Sequence, residues 1–274
     1  VLVALGIIDL RAGRTAAAEA AFHHALRADP SFAPAHHALG MFYWRQGDLP
    51  GAETALRRAA ETGSAYSPYP ERYARFLLLT GRVEQAVRVA EAATTRSPDH
   101  IPSWITRADC ASAQRDLAGA EAHLKEALRR DPGHPAALSA TAKLALARGD
   151  PTNAVATLER LRGLHPGLPQ AGYELALASL VAGDTGRALA LLDEVIKAAP
   201  ALREAALARA ELSLRRGDHT SAAAILEPMV RDNPDLPAAR ALLAAALWGQ
   251  GRPDEAVALC LELERAQPGL PQAP

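Results

Sequence analysis

Apolar positions return along this chain in a fixed register. Ala18, Ala52, Ala86, Ala120, Ala154, Ala188, Ala222 and Ala256 are each separated by 34 residues. Four residues after each stands Phe22, Leu56, Ala90, Leu124, Leu158, Leu192, Leu226 or Cys260. A spacing of four places both side chains on one helix face, one turn apart. The pattern predicts a helix whose buried stripe begins with a small residue, where two backbones approach closely. A second apolar stretch precedes each of these helices, as in Leu175 to Ala182. Between the two stretches stands a glycine: Gly13, Gly47, Gly81, Gly149, Gly183, Gly217 or Gly251, with Arg115 in the one gap. Glycine there suits the left-handed residue that ends a helix. The next residue is often an acid (Asp48, Asp150, Asp184, Asp218), placed to cap the following helix, or an arginine (Arg82, Arg252). Pro151, directly after Asp150, suits a first helical position. Pro30, Pro98, Pro132, Pro166, Pro200, Pro234 and Pro268 keep the same period and stop the second helix, with Ser64 in their gap. Each unit therefore reads helix, tight turn, helix, stop.

Composition agrees with an all-helical chain. Hydrophobic residues make up 49% and aromatics only 4%. Ala and Leu form helices readily, whereas sandwiches and barrels lean on aromatic and β-branched residues. The net charge is −1, with no block of like charges. That leaves no electrostatic footprint for nucleic acid or an anionic membrane. No apolar run approaches the roughly 18 residues of a membrane span, so no membrane insertion by this segment is expected. Val1 to Leu10 is apolar but carries Asp9 and lacks a basic lead, which makes it a poor signal peptide. Two cysteines are too few for a disulfide framework or a zinc site. They leave the compartment open between cytoplasm and periplasm, and the oligomeric state is open too.

The repeat resembles the tetratricopeptide repeat, whose signature is W-x2-L-G-x2-Y, then A-x3-F, then P, in about 34 residues. The second unit matches best, through Leu39-Gly40, Tyr43, Gly47-Asp48, Ala52 and Leu56. The fourth opens with Trp104. The sixth supplies Leu175-Ala176, Gly183-Asp184, Ala188, Leu192 and Pro200. The slot after the leucine position is small throughout: Gly6, Gly40, Ala74, Ala108, Ala142, Ala176, Ala210, Ala244. First-helix aromatics are often lost, as at Ala145, Ser179 and Ser213. The resemblance implies an all-α, right-handed α-solenoid superhelix of eight helix-turn-helix repeats, about sixteen antiparallel helices, in a single solenoid over 1–274. The repeats fall at 1–32, 33–66, 67–100, 101–134, 135–168, 169–202, 203–236 and 237–270, with 271–274 opening a ninth. Pro166 to Ala171 and Pro268 to Ala273 both read PGLPQA, which points to a segment of a longer array.

The resemblance also implies that the first helices line a concave groove and that a protein or peptide partner binds there. The groove candidates are His37, Met41, Trp44 and Arg45, then Tyr66, Tyr69, Glu71, Arg72 and Arg75. Beyond them come Ile105, Asp109 and Ser112, then Ser139 and Lys143, then Tyr173. Nine of the twelve aromatics lie between Phe22 and Phe76. Among these, Phe22, Tyr43 and Tyr73 occupy signature core slots. Trp44, Tyr66 and Tyr69 are the candidate hot spots, because Trp, Tyr and Arg dominate interface energetics. Relatives that grip acidic C-termini use Lys, Asn and Arg on adjacent first helices. The two asparagines here, Asn153 and Asn233, lie outside first helices, so that partner class is not expected. The segment 66–70 (YSPYP) breaks the repeat and stands where a change of angle between units two and three would arise.

Motifs for chemistry are missing. His23-His24 and His36-His37 are adjacent pairs whose side chains diverge on a helix. No HExxH, GxGxxG, Walker loop or GxSxG is present. No metal, cofactor or catalytic residue is expected. Cys110 and Cys260 lie in apolar stretches, and Cys260 takes a core slot, so both are expected to be buried and inert. The expectation is a non-catalytic protein–protein interaction scaffold. The alternatives are a structural periplasmic segment of an exopolysaccharide secretion or envelope-assembly system, resembling also exosortase-associated repeat proteins, and a regulatory arm of a larger enzyme.

Overall fold

A computed structural model describes residues 1–266. Those residues form sixteen α-helices and no strand. Two compact units emerge. The first, Val1–Arg148, holds α1 (Leu2–Arg11), α2 (Thr15–Ala28), α3 (Ala33–Gln46), α4 (Leu49–Thr62), α5 (Tyr69–Leu79), α6 (Val83–Arg96), α7 (Ile101–Ala113), α8 (Leu117–Arg130) and α9 (Pro135–Ala147). The second begins at Gly149. It holds α10 (Pro151–Leu164), α11 (Pro169–Val181), α12 (Thr185–Ala198), α13 (Arg203–Arg215), α14 (His219–Asp232), α15 (Pro237–Gly249) and α16 (Pro253–Ala266). Odd-numbered helices are the first helices of their hairpins, and even-numbered helices the second. The second PGLPQA run and the start of a ninth repeat lie outside the described residues.

The joints have local causes. All seven recurring glycines are left-handed, with φ between +74° and +87°. At the eighth joint Arg115 takes the same conformation, at φ +62°. The next backbone N–H closes the turn: Asp48 N donates to Tyr43 O at 3.0 Å, and Asp184 N to Ser179 O at 2.9 Å. The aspartates then cap the following helix. Asp48, Asp150, Asp184 and Asp218 accept from the N–H three residues on, at 2.9–3.0 Å. Asp116 does the same for α8, at 2.8 Å from Gly119 N.

The core is built on close approach. None of the eight recurring alanines exposes more than 3% of its surface. Gly6 and Gly40 show why their slot is small. A Cβ on Gly6 would lie 2.4 Å from the Phe22 ring, and one on Gly40 would lie 2.7 Å from Leu56 Cγ. In the first two hairpins the large residue of the second helix packs against its own first helix and the next one. Phe22 thus meets Phe42 of α3 edge-on at 6.4 Å, and Leu56 joins Tyr73 and Leu77 of α5. Where first-helix aromatics are lost, Ala145, Ser179 and Ser213 remain buried. Ser179 satisfies its hydroxyl on Leu175 O at 2.8 Å.

Two places depart from expectation. Cys110 is buried, and burial above all raises its thiol pKa to about 11. Cys260, however, is exposed, which corrects its core assignment. Its equivalents in earlier hairpins are covered by the first helix that follows. No helix follows α16 among the described residues, and Val257 and Leu261 are exposed with it. The irregular segment 63–68 is also tied down. Ser67 Oγ donates to Ser64 O at 2.7 Å. From the next hairpin, Ser97 Oγ donates to Ala65 O at 2.7 Å and Arg96 to Gly63 O at 2.9 Å.

Candidate partner-binding surface

Within the first unit, successive first helices enclose two cavities. One, of about 640 Å³, is formed by α1, α3 and the start of α5. Five groove candidates line it: His37, Met41, Arg45, Tyr69 and Arg72. Val3, Ile7 and Leu10 of α1 give it an apolar wall. Arg72 Nη1 donates to His37 Nε2 at 2.9 Å, and the His37 ring lies 5.4 Å from that of Tyr69. Burial first, and the Arg72 charge second, lower the His37 pKa to about 4. A neutral imidazole is what that contact requires, since Nε2 must accept.

The other cavity, of about 460 Å³, lies against α5, α7 and α9. Arg75, Asp109 and Lys143 contribute one charge from each of these helices. Ile105, Leu124 and Leu144 supply apolar wall, while Ser112 and Ser139 add hydroxyls. Asp109 is exposed yet crowded by protein atoms, and that desolvation raises its carboxyl pKa against the opposing pull of Lys143 and Arg75.

Four candidates line neither cavity: Trp44, Tyr66, Tyr173 and Glu71. Trp44 lies edge-on against Phe76, with ring centres 5.1 Å apart, and so joins the second hairpin to the third. Tyr66 projects from the α4–α5 connection, 64% exposed, with its ring edge-on to His100. Tyr173 lies half-buried on α11 of the second unit.

Glu71 turns away from the cavities into a polar cluster that the sequence did not reveal. Ser103 Oγ donates to Glu71 Oε1 at 2.7 Å, and His100 Nδ1 lies 3.0 Å from Ser103 Oγ and 3.2 Å from Glu71 Oε1. The three residue types are those of a hydrolytic triad, but the hydrogen-bond order is not. The hydroxyl gives its proton to the carboxylate, and Ser103 is 1% exposed, so no substrate reaches Oγ. The cluster joins α5 to α7. No group of three or more His, Cys, Asp or Glu side chains suited to a metal ion occurs among the described residues. No described helix is long and apolar enough to cross a membrane.

Family models described as tetratricopeptide repeat match residues 3–68 and four overlapping or successive windows, 77–144, 111–178, 145–212 and 213–273. The chain belongs to the tetratricopeptide repeat family. Tetratricopeptide repeats are in general non-catalytic scaffolds. Solved structures share the fold at low identity. A tetratricopeptide repeat protein from Parabacteroides merdae is 18% identical, with a TM-score of 0.65 over 90% of this chain and 97% of that one. Yeast Tom70 is 17% identical, with a TM-score of 0.76 over 92% of this chain and 55% of Tom70. PilW, a type IV pilus biogenesis factor, is 18% identical, with a TM-score of 0.56 over 73% and 92%. No curated protein matches the chain. These likenesses reach the repeat family and not the exopolysaccharide- or exosortase-associated subtype.

Proposed function

We propose that this tetratricopeptide repeat chain is a non-catalytic scaffold that holds a segment of a protein partner along the first helices of its first unit. One observation carries the reading. Side chains from α1, α3, α5, α7 and α9 converge on two cavities with apolar walls, the first edged by arginines alone and the second by Arg75, Lys143 and the acid Asp109. Cavities of this size accept a few side chains of a bound segment. The apolar wall of Val3, Ile7, Leu10 and Met41 takes a hydrophobic anchor. Arg45 and Arg72 flank it, and Arg75, Asp109 and Lys143 fix the register of polar groups further along. The apolar walls and the Asp109 carboxylate of the second cavity favour a partly hydrophobic segment over a uniformly acidic tail.

Peptide display on the intact chain tests this. Selected peptides should lose affinity when Arg45 and Arg72 become alanine together, and separately when Asp109→Lys is made, with melting unchanged. Their binding should slow hydrogen exchange in α3, α5 and α7. Peptides that bind both variants as well as the parent, or protect only second helices, would refute the assignment.

A further inference from the structure

Another cleft opens on the second-helix side of the first unit. It lies between α4 and α6, closed at one end by the start of α5, and has a volume of about 390 Å³. It shares no lining residue with either first-helix cavity. We propose that it is a separate binding site, for a short acidic peptide segment carrying an apolar anchor side chain.

The cleft has a cause in sequence. Position 60 is alanine. The register-equivalent residue is a larger aliphatic one in four other second helices (Leu26, Leu128, Ile196 and Val230) and is Thr94, Arg162 or Glu264 in the other three. Ala60 lines the cleft, and a longer side chain there would project into it. Val89, Ala92 and Ala93 of α6 extend the same apolar floor. A void walled by such groups gains by taking in an aliphatic or aromatic side chain.

The rim sets the charge of the ligand. Arg57 of α4 and Arg88 of α6 stand on opposite walls, both exposed. Neither has an ion-pair or hydrogen-bond partner among the described residues. Several arginines on other second helices are engaged, Arg129 and Arg130 on Glu126, Arg162 on Glu194 and Arg187 on Glu159, whereas Arg27 of α2 has no such partner among the described residues. The one acid in the lining, Glu61, is held by Arg58 at 3.2 Å. Arg96, at the far end, is fixed on Gly63 O. Two unengaged guanidinium groups across an apolar floor match a segment with carboxylates on both sides of a hydrophobic residue, since guanidinium binds carboxylate with two parallel hydrogen bonds. The open, two-walled form suits an extended chain rather than a compact metabolite.

Fluorescence anisotropy on the whole chain tests the proposal. The probe is a dye-labelled hexapeptide, Glu-Glu-Leu-Phe-Glu-Glu. The comparison peptides are Gln-Gln-Leu-Phe-Gln-Gln and Glu-Glu-Ser-Ser-Glu-Glu. Saturable binding of the probe should weaken by about tenfold or more in both comparison peptides, and should weaken on raising salt. The paired variant Arg57→Ala/Arg88→Ala should lose about tenfold or more. Ala60→Leu, which restores the bulk found in α2 and α8, should lose as much with circular dichroism unchanged. Arg72→Ala/Arg75→Ala, in the first-helix cavities, should bind as the parent does. Failure of the probe to bind, equal binding of the glutamine peptide, or indifference to the cleft variants would overturn the site. So would sensitivity to the Arg72/Arg75 pair instead.

Discussion

At Arg115 a side chain with a Cβ holds a left-handed φ of +62° that glycine holds at the other joints. That conformation costs roughly 1–2 kcal/mol for most residues, so Arg115→Gly should raise stability by about 1 kcal/mol in denaturant titration. The opposite holds at Gly40. Its missing Cβ leaves room for Leu56, and Gly40→Ala should destabilise by about 1–3 kcal/mol through overpacking. Trp44 is a packing residue against Phe76. Trp44→Ala should cost about 2 kcal/mol of stability, and loss of partner capture without loss of stability would contradict that role. His37 predicts a pH effect. The unfolded imidazole binds its proton near 6.5 and the folded one near 4. Between those values the unfolded state holds more protons, so the folded state loses stability as pH falls from about 6.5 to about 4. Below that window both states are protonated and the loss is complete. His37→Gln should make the slope of stability against pH shallower by up to one proton inside the window and leave it unchanged above pH 7.

Among the elements, the second helices are defined at their starts. Asp184 caps α12, and Asp184→Ala should cost about 1 kcal/mol, read as faster hydrogen exchange in the first turn of α12. Ala188→Leu should cost roughly 1–3 kcal/mol, because that slot is buried between α12 and α11. Joints, caps and small slots were legible in the sequence because their causes lie within a few residues: a left-handed φ, an orphan N–H, a Cβ too many. What the sequence hid depends on residues about one repeat apart. Trp44 turns to Phe76, and Glu71 to Ser103, only once neighbouring hairpins stack. His37, Met41 and Arg72 were readable as first-helix candidates, but not their convergence on α1. Ala60 was silent because one more alanine in an Ala-rich helix carries no local signal. Cys260 misled because its slot is a core slot only where a following helix covers it. Partly exposed pairs between successive second helices or turns, such as Arg82 with Glu53 and Arg148 with Glu121, add about 1 kcal/mol each and do not define the architecture.

For the whole molecule, stability follows from neighbour-to-neighbour packing rather than from one central core. Several buried clusters are confined to a few adjacent helices. One gathers residues of α13 to α16, and another residues of α2 to α4 with partly buried support from α1. A stretch with so few long-range dependencies can vary its surface freely, which is how two first-helix cavities and an α4–α6 cleft of different chemistry occur on one repeating frame. The unbroken spacing of Gly149, Gly183 and Gly217 has a further consequence. A recombination event that excised or duplicated a stretch of that length would splice each hinge onto its counterpart. Chain length in this lineage can therefore change by whole modules without inventing a new junction.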